Sequence, residues 1–412
     1  MKKQFLIILL LNIGAGALWG QQVNQLIFAK INGAYPMWDG TIVKTMGFTY
    51  TLNAAIDIPS PTLVFNEGDT VKLTLWNKSQ GAPHTIHLHG LDVDQQNDGV
   101  PHLSFDIAHD DKGDYHFVAP HAGTYLYHCH VVSTLHVQAG MYGMLIVRPS
   151  DGSQTAWNNG PAYDTELAWL MSEVDTVWHH DTIINHPHDT TQTQHHLPER
   201  YLPQYFLVNG KAEQQLAAQG MAVTGSANEV FYLRLANIGN YGNRLILPAG
   251  LHARIIASDG RPLPHEEQAD TLLIFPGERY GVLLEPTAEF TDTIKIDYLD
   301  LNTQITINTQ QIPVAIAGFF GTESLNKLPL ACTLFPNPTN DYLEGEITLE
   351  KEELILGKWI GINGRVLSTF EQQGFAGVNS LQLNTQNLQS GIYFLQLQTA
   401  TRQTIKKITI QQ

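Results

Sequence analysis

The chain has little cysteine, little positive charge and few long apolar runs, and each scarcity excludes something. Two cysteines in 412 residues, Cys129 and Cys332, cannot supply a disulfide framework. Stability must therefore come from packed cores, and each thiol needs its own explanation. Lys and Arg number 23 against 39 Asp and Glu, a formal charge of −16. That balance argues against a nucleic-acid surface and attracts cations, metal ions included. Charged residues are only 15% of the chain and hydrophobic ones 43%, which suits two or three domains with proper cores. Abundant glycine (34) and proline (20) between short apolar segments favour all-β domains over helical ones.

The one extended apolar stretch is at the start, MKKQFLIILLLNIGAGALWGQQ. Two lysines, an apolar run of about a dozen residues and small residues from Ala15 to Gly20 read as a secretory signal over residues 1–20, cut after Ala17 or Gly20. A membrane anchor needs a longer span. The mature protein is expected to be exported and soluble.

The chemistry concentrates in YLYHCHVVSTLHVQAGMYGMLIV, Tyr125 to Val147. Cys129 closes one strand, a short loop carries His136, and Met141 opens the next apolar run. His84, from PHTIHLHG one candidate strand earlier, completes the set. One thiolate and two imidazoles with a weak thioether suit a copper ion that cycles between Cu(I) and Cu(II) with little rearrangement. Zinc prefers a closed tetrahedral set. A second set is interleaved with the first: His87 and His89 are two apart, as are His128 and His130. Side chains two apart on a strand share a face, so if Cys129 faces one metal, His128 and His130 face another.

At these residues the chain resembles the multicopper oxidase family, with HLHG, HCH and HVQAGM standing for that family's three ligand motifs. The resemblance runs from Phe48 to Pro149 and includes GDTVKLTLWN, the NDGVP turn at Asn97 to Pro101, and AGTYLYHCH. It implies a cupredoxin Greek-key β-sandwich, with His87, His89, His128 and His130 as ligands of a type 2/type 3 copper cluster that reduces dioxygen. It also implies that Asp98, the aspartate of the D-G turn, lies beside that cluster and helps deliver protons. Copper nitrite reductases, cousins of the family, likewise place blue-copper ligands in the first domain, with a histidine five residues beyond the first ligand, as His89 follows His84.

Departures from the pattern matter too. No second H-C-H exists, so half of the ligands a complete cluster requires have no counterpart. The following segments, VFYLRLANIGN at Val230 to Asn240, ARIIASDGRPLP at Ala253 to Pro264 and TLLIFPGERYGVLLEP at Thr271 to Pro286, resemble a ligand-free second cupredoxin domain whose histidines are His252 and His265. From about Leu334 the chain resembles the type A sorting domain of the type IX secretion system. The matching features are FPNP at Phe335 to Pro338, Gly364 to Arg365, SGIYF at Ser390 to Phe394 and KKI at Lys406 to Ile408. A carbohydrate-binding or adhesive β-domain is the alternative for this segment.

Between the two cupredoxin domains lies VWHHDTIINHPHDTTQTQHHLPERYLP, carrying His179, His180, His186, His188, His195 and His196. It reads as a solvated loop, a labile copper-collecting tract or a replacement for the missing cluster ligands, the last opposed by the poor orientation a polar loop gives its imidazoles. His102, His109, His116 and His121 lack ligand spacing and read as surface or hydrogen-bonded residues. Cys332 reads as an ordinary, partly buried thiol.

The expected architecture is all-β: two cupredoxin-like sandwiches, at residues 21–150 and 201–325, joined by a linker at 151–200 and followed by a small Ig-like sorting sandwich at 330–412. The expected function is an exported copper-dependent oxidoreductase. It takes single electrons from a small molecule, a metal ion or a redox protein at a type 1 copper and passes them to a histidine-held centre and dioxygen. A non-catalytic blue-copper carrier and a nitrite-reductase-like enzyme are the alternatives. The expected partners are an electron donor, the type IX secretion machinery and, for completing a shared cluster, further copies of the chain; no nucleic acid is expected.

Overall fold

The structure, a computed structural model, describes residues 20–184, 197–217, 221–318, 328–361 and 366–411. The proposed signal, His186, His188, His195, His196 and the Gly364–Arg365 pair lie outside the described residues. The chain forms two compact units, one of Met1–Ala222, Val230–Glu285 and Asp292–Pro313, the other of Val223–Glu229, Pro286–Thr291 and Val314–Gln412. Among the described residues no helix is long and apolar enough to cross a membrane.

The first domain is built from β1 (Gln22–Pro36), β2 (Ile42–Thr49), β3 (Leu63–Asn66), β4 (Thr70–Asn77), β5 (Lys112–Val118), β6 (Gly123–His128), helix α1 (Ser133–Gln138) and β7 (Tyr142–Arg148). One sheet has the order β2-β1-β4-β5 and the other β3-β7-β6. Alternation in TVKLTLWN sends Val71, Leu73 and Leu75 inward from β4, as a half-buried strand requires. Strand β6, GTYLYH, is buried at every position because each of its faces meets a different core. Tyr125 and Tyr127 enter the first-domain core, whereas Leu126 packs with Leu170, Val174 and Tyr205 of the second domain. The thin β3-β7-β6 sheet thus separates two apolar clusters.

The second domain begins with β8 (Thr165–Val174), then α2 (Asp181–Ile184), β9 (Tyr205–Val208), the short β10 (Val223–Ser226), β11 (Phe231–Asn237), β12 (Gly242–Ile246), β13 (Arg254–Ser258), β14 (Arg261–Gln268), β15 (Thr271–Ile274), β16 (Arg279–Leu284), β17 (Phe290–Leu299) and β18 (Thr306–Ala317). Six of these form the sheet β14-β13-β16-β11-β8-β9. This corrects the linker reading of 151–200: Thr165–Val174 is strand β8, paired in parallel with β11 and antiparallel with β9. Strand β12 pairs antiparallel with both β15 and β17.

The C-terminal unit adds β19 (Leu328–Pro329), β20 (Cys332–Phe335), β21 (Tyr342–Leu349), β22 (Glu353–Gly361), β23 (Val366–Gly374), β24 (Gly377–Asn384), β25 (Gly391–Gln398) and β26 (Arg402–Ile410). These make a sheet of order β19-β26-β25-β22-β23 and another of order β20-β21-β24 around Leu343, Ile347, Ile355, Trp359, Leu395 and Ile408. The fold is all-β, as expected from the composition.

Candidate metal centres

His84, Cys129 and His136 converge, with one ligand atom from each lying within 4.8 Å of the others. Cys129 Sγ is 3.6 Å from His84 Nδ1 and 3.3 Å from His136 Nδ1, so both rings turn the same nitrogen toward sulfur. All three residues and Met141 are 0% exposed. Each arrives differently. Cys129 follows the last residue of β6, on the same parity as Tyr125 and Tyr127, which explains why it faces the first-domain core. His84 forms an isolated β-bridge with Ile107 and lies outside any strand. His136 sits on α1, where a loop was expected; STLHVQ is too short for its 3.6-residue period to be read in sequence.

Met141 is tied at both ends. Its N–H donates to the His136 carbonyl (2.9 Å) and its own carbonyl accepts from the Cys129 N–H (3.0 Å). Ser60 brackets it further, donating its N–H to the Tyr142 carbonyl (2.8 Å) and its hydroxyl to the Gly140 carbonyl (3.1 Å). Burial pushes the Cys129 thiol up to about 11, with contacts to Thr85, Val131 and His130 pulling it part way back. A soft thiolate buried between two imidazoles is a donor set that needs a cation to become ionised, and copper suits it.

His87, His89 and His128 form a second convergent group. His87 and His128 face each other across a β-bridge, their rings 5.1 Å apart between centroids. His87 Nδ1–H donates to the Asp98 carbonyl (2.8 Å), with the Asp98 carboxylate 3.4 Å away, which leaves Nε2 to ligate. His128 Nδ1–H donates to the Cys129 carbonyl (3.0 Å), and its Nε2 lies 3.3 Å from His89 Nδ1. His130 stands outside this tight group, its ring 5.2 Å from that of His87. Burial depresses His128 to about 3; burial, then the Arg279 and His87 charges, depress His89 to about 4. Both are therefore neutral rings with free lone pairs near pH 7, the form that binds metal. The D-G turn is locked against this site: Gly99 has φ +80, and a Cβ there would sit 1.9 Å from the Ile86 carbonyl oxygen.

Among the described residues, the groups of three or more His, Cys, Asp or Glu that could share an ion are these two, both in the first domain. His252 follows a short turn of helix and His265 lies exposed on β14. His179, read as part of a solvated tract, is instead buried; its Nδ1 faces the Lys44 carbonyl and its Nε2 lies 3.4 Å from Gln138 Nε2. Two residues near the sites went unnoticed in the sequence. Thr85, fully buried, receives the His130 N–H on Oγ1 at 2.9 Å. Arg279, from β16 of the second domain, lies beside His89.

Residues 43–152 and 176–300 each match a family described as Multicopper oxidase, and residues 333–411 match Secretion system C-terminal sorting domain. The chain belongs to the multicopper oxidase family, whose members bind copper, and it carries a C-terminal sorting domain. It is 30% identical over 221 residues to L-ascorbate oxidase of Cucumis sativus, a match covering 51% of this chain and 34% of that protein. A copper-containing nitrite reductase of Alcaligenes xylosoxydans xylosoxydans is 33% identical over 129 residues, 31% of this chain and 36% of that one. The chain thus matches about a third of the length of each of these two relatives. Among solved structures, a Blue Copper Oxidase from Nitrosomonas europaea matches with a TM-score of 0.55 at 26% identity, over 72% of this chain and 86% of that one.

Proposed function

We propose that the chain is an exported copper-dependent oxidoreductase, in which His84, Cys129, His136 and Met141 hold one copper and His87, His89, His128 and His130 hold a second copper centre. The observation that carries this reading is the adjacency of His128 and Cys129. Consecutive residues contribute to two convergent donor groups, so one peptide link joins the sites. When bound, copper supplies one-electron redox cycling at the thiolate site and a dioxygen-reducing centre at the other.

The chain's own residues supply the rest. The buried thiol and imidazoles fix a water-poor pocket for the first ion. The His87 and His128 Nδ1–H groups, each committed to a backbone carbonyl, orient Nε2 toward the second. Asp98, with its carboxylate 3.4 Å from His87, is placed to hold or pass a proton beside that centre. The donor is a small molecule, a metal ion or a redox protein, and the sorting domain supports export through the type IX machinery to the medium or the cell surface.

A carrier function is a second reading. It is favoured by the absence of any second-domain imidazole from both donor groups among the described residues. Metal analysis of the purified mature chain, combined with oxygen uptake on a phenolic or cuprous donor, decides between them. Two or more coppers per chain with uptake supports the oxidase, whereas one copper without uptake supports the carrier. Cys129→Ser should abolish the thiolate-to-copper colour while sparing the second site, and persistent colour would refute the ligand assignment. Replacing His128 and His130 should spare the colour and stop turnover.

A further inference from the structure

Among the described residues the second domain contributes no imidazole to the His87, His89, His128 group, yet it brings a guanidinium and a glycine turn up to His89. Arg279 is only 4% exposed, at the start of β16. Its Nη1 donates to the Gly277 carbonyl at 2.7 Å and lies 3.0 Å from Asp259 Oδ1. Its Nε points at the Thr124 carbonyl of β6, 3.4 Å away. The remaining edge lies over Gly90, next to His89: Gly90 has φ +81, and a Cβ there would be 2.1 Å from Arg279 Nη2. The final glycine of HLHG is therefore required twice, once by its backbone and once by the second-domain arginine above it.

Gly277 closes the arrangement. A Cβ built on Gly277 would lie 3.2 Å from His89 Cε1 and 3.4 Å from His89 Nε2, so the backbone of this second-domain turn packs against the His89 ring. Arg279 Nη1 holds the carbonyl of this same glycine. With Nδ1 facing His128 Nε2 at 3.3 Å, the other side of the His89 ring is turned to the second domain. A ligating histidine whose far edge is packed against fixed groups beyond the ligands has its ring plane set by them.

We propose that Arg279 is a positioning residue for the second copper centre: by holding the Gly277 carbonyl and packing over Gly90, it lets the second domain set the orientation of His89. The proposal rests on the reading that this centre binds copper. It assigns the second domain a part in the site although, among the described residues, it supplies no ligand. Arg279 touches neither donor nor dioxygen in this scheme and acts only through His89.

The test titrates the full-length mature chain with Cu(II) against a competing chelator, following the blue thiolate absorption for the first site and the electron paramagnetic resonance of non-blue copper for the second. Arg279→Met should keep the blue absorption per chain and weaken second-site binding by at least about tenfold, with Arg279→Lys, which retains one donor head, in between. Second-site binding in Arg279→Met equal to wild type overturns the proposal. Should Arg279→Met lose the blue absorption as well, through misfolding, Arg279→Lys decides alone: a weakened second site with intact colour supports the role, and wild-type binding overturns it. A wild-type chain that takes up only the blue copper overturns the two-site reading, and the role of Arg279 with it.

Discussion

Thr85 Oγ1 accepts the His130 N–H at 2.9 Å, so the residue after His84 pins the residue after Cys129. Both lie at the junction of the two sites. Thr85→Val keeps the shape and removes the acceptor, leaving a part-buried N–H unmet at a cost of about 1 kcal/mol. Thr85→Ser should restore most of it. Urea unfolding of the three proteins checks this, and identical midpoints for wild type and Thr85→Val would show that the hydroxyl carries no such load.

Gly99→Ala forces a Cβ into the Ile86 carbonyl at a positive φ, where neither partner can yield without moving His87. The expected loss is at least about 2 kcal/mol, read as a melting temperature several degrees lower. Second-site copper should be lost before the blue colour. A variant that melts like wild type and binds both coppers would show that the D-G turn is not held as described.

Glu173 gives a pH signature. Buried on β8, it accepts from the Asn240 N–H at 2.8 Å and faces the Tyr201 hydroxyl at 3.5 Å, and burial pushes its carboxyl up to about 7. The folded value lies above the unfolded one, so the stability it confers is full below the ordinary carboxyl range and is lost as pH rises toward 7. Between about pH 5 and pH 7.5 the wild type should lose stability relative to Glu173→Gln, by an amount on the order of 2–3 kcal/mol. Parallel urea midpoints across that range would show a carboxyl that does not take up a proton on folding.

Arg234 is 0% exposed, with Nε 2.7 Å from Glu166 Oε1, Nη1 3.1 Å from Thr124 Oγ1 of the first domain, and its guanidinium 4.4 Å from the Tyr232 ring centre. Arg148 also pairs with Glu166, at 2.6 Å. Arg234→Met should destabilise by about 1.5–3 kcal/mol, because it removes one of the two cationic partners of the half-buried Glu166 carboxylate. Adding Glu166→Gln should recover part of the loss. A double variant no more stable than the single would locate the cost in packing.

The convergence of Cys129 and His136 was legible because it is local: the two fall within one hairpin-length stretch, and strand parity separates Cys129 from His128 and His130 before any tertiary contact is known. His84 was legible through its motif, although it sits on a bridge and not on a strand. Residues whose role depends on domain docking were not. Arg279 reads in PGERYG as a charged strand end, and only burial against Gly90 and Thr124 gives it significance. His179 was misread for the same reason, since its company of histidines and aspartates suggests a wet loop while the chain path tucks it under Lys44. Strand β8 escaped notice because its parallel partner, β11, lies some sixty residues downstream.

Ile184, at the end of α2, belongs to the same apolar cluster as Cys129 and Met141, and Asp181 on that helix pairs with Lys44 of β2 at 2.6 Å. The connecting segment therefore plugs the first sandwich. An excised fragment ending at Arg148 would carry every proposed ligand yet lack its stopper, so spectroscopy on such a truncation would describe a wetter, looser copper environment than that of the intact chain.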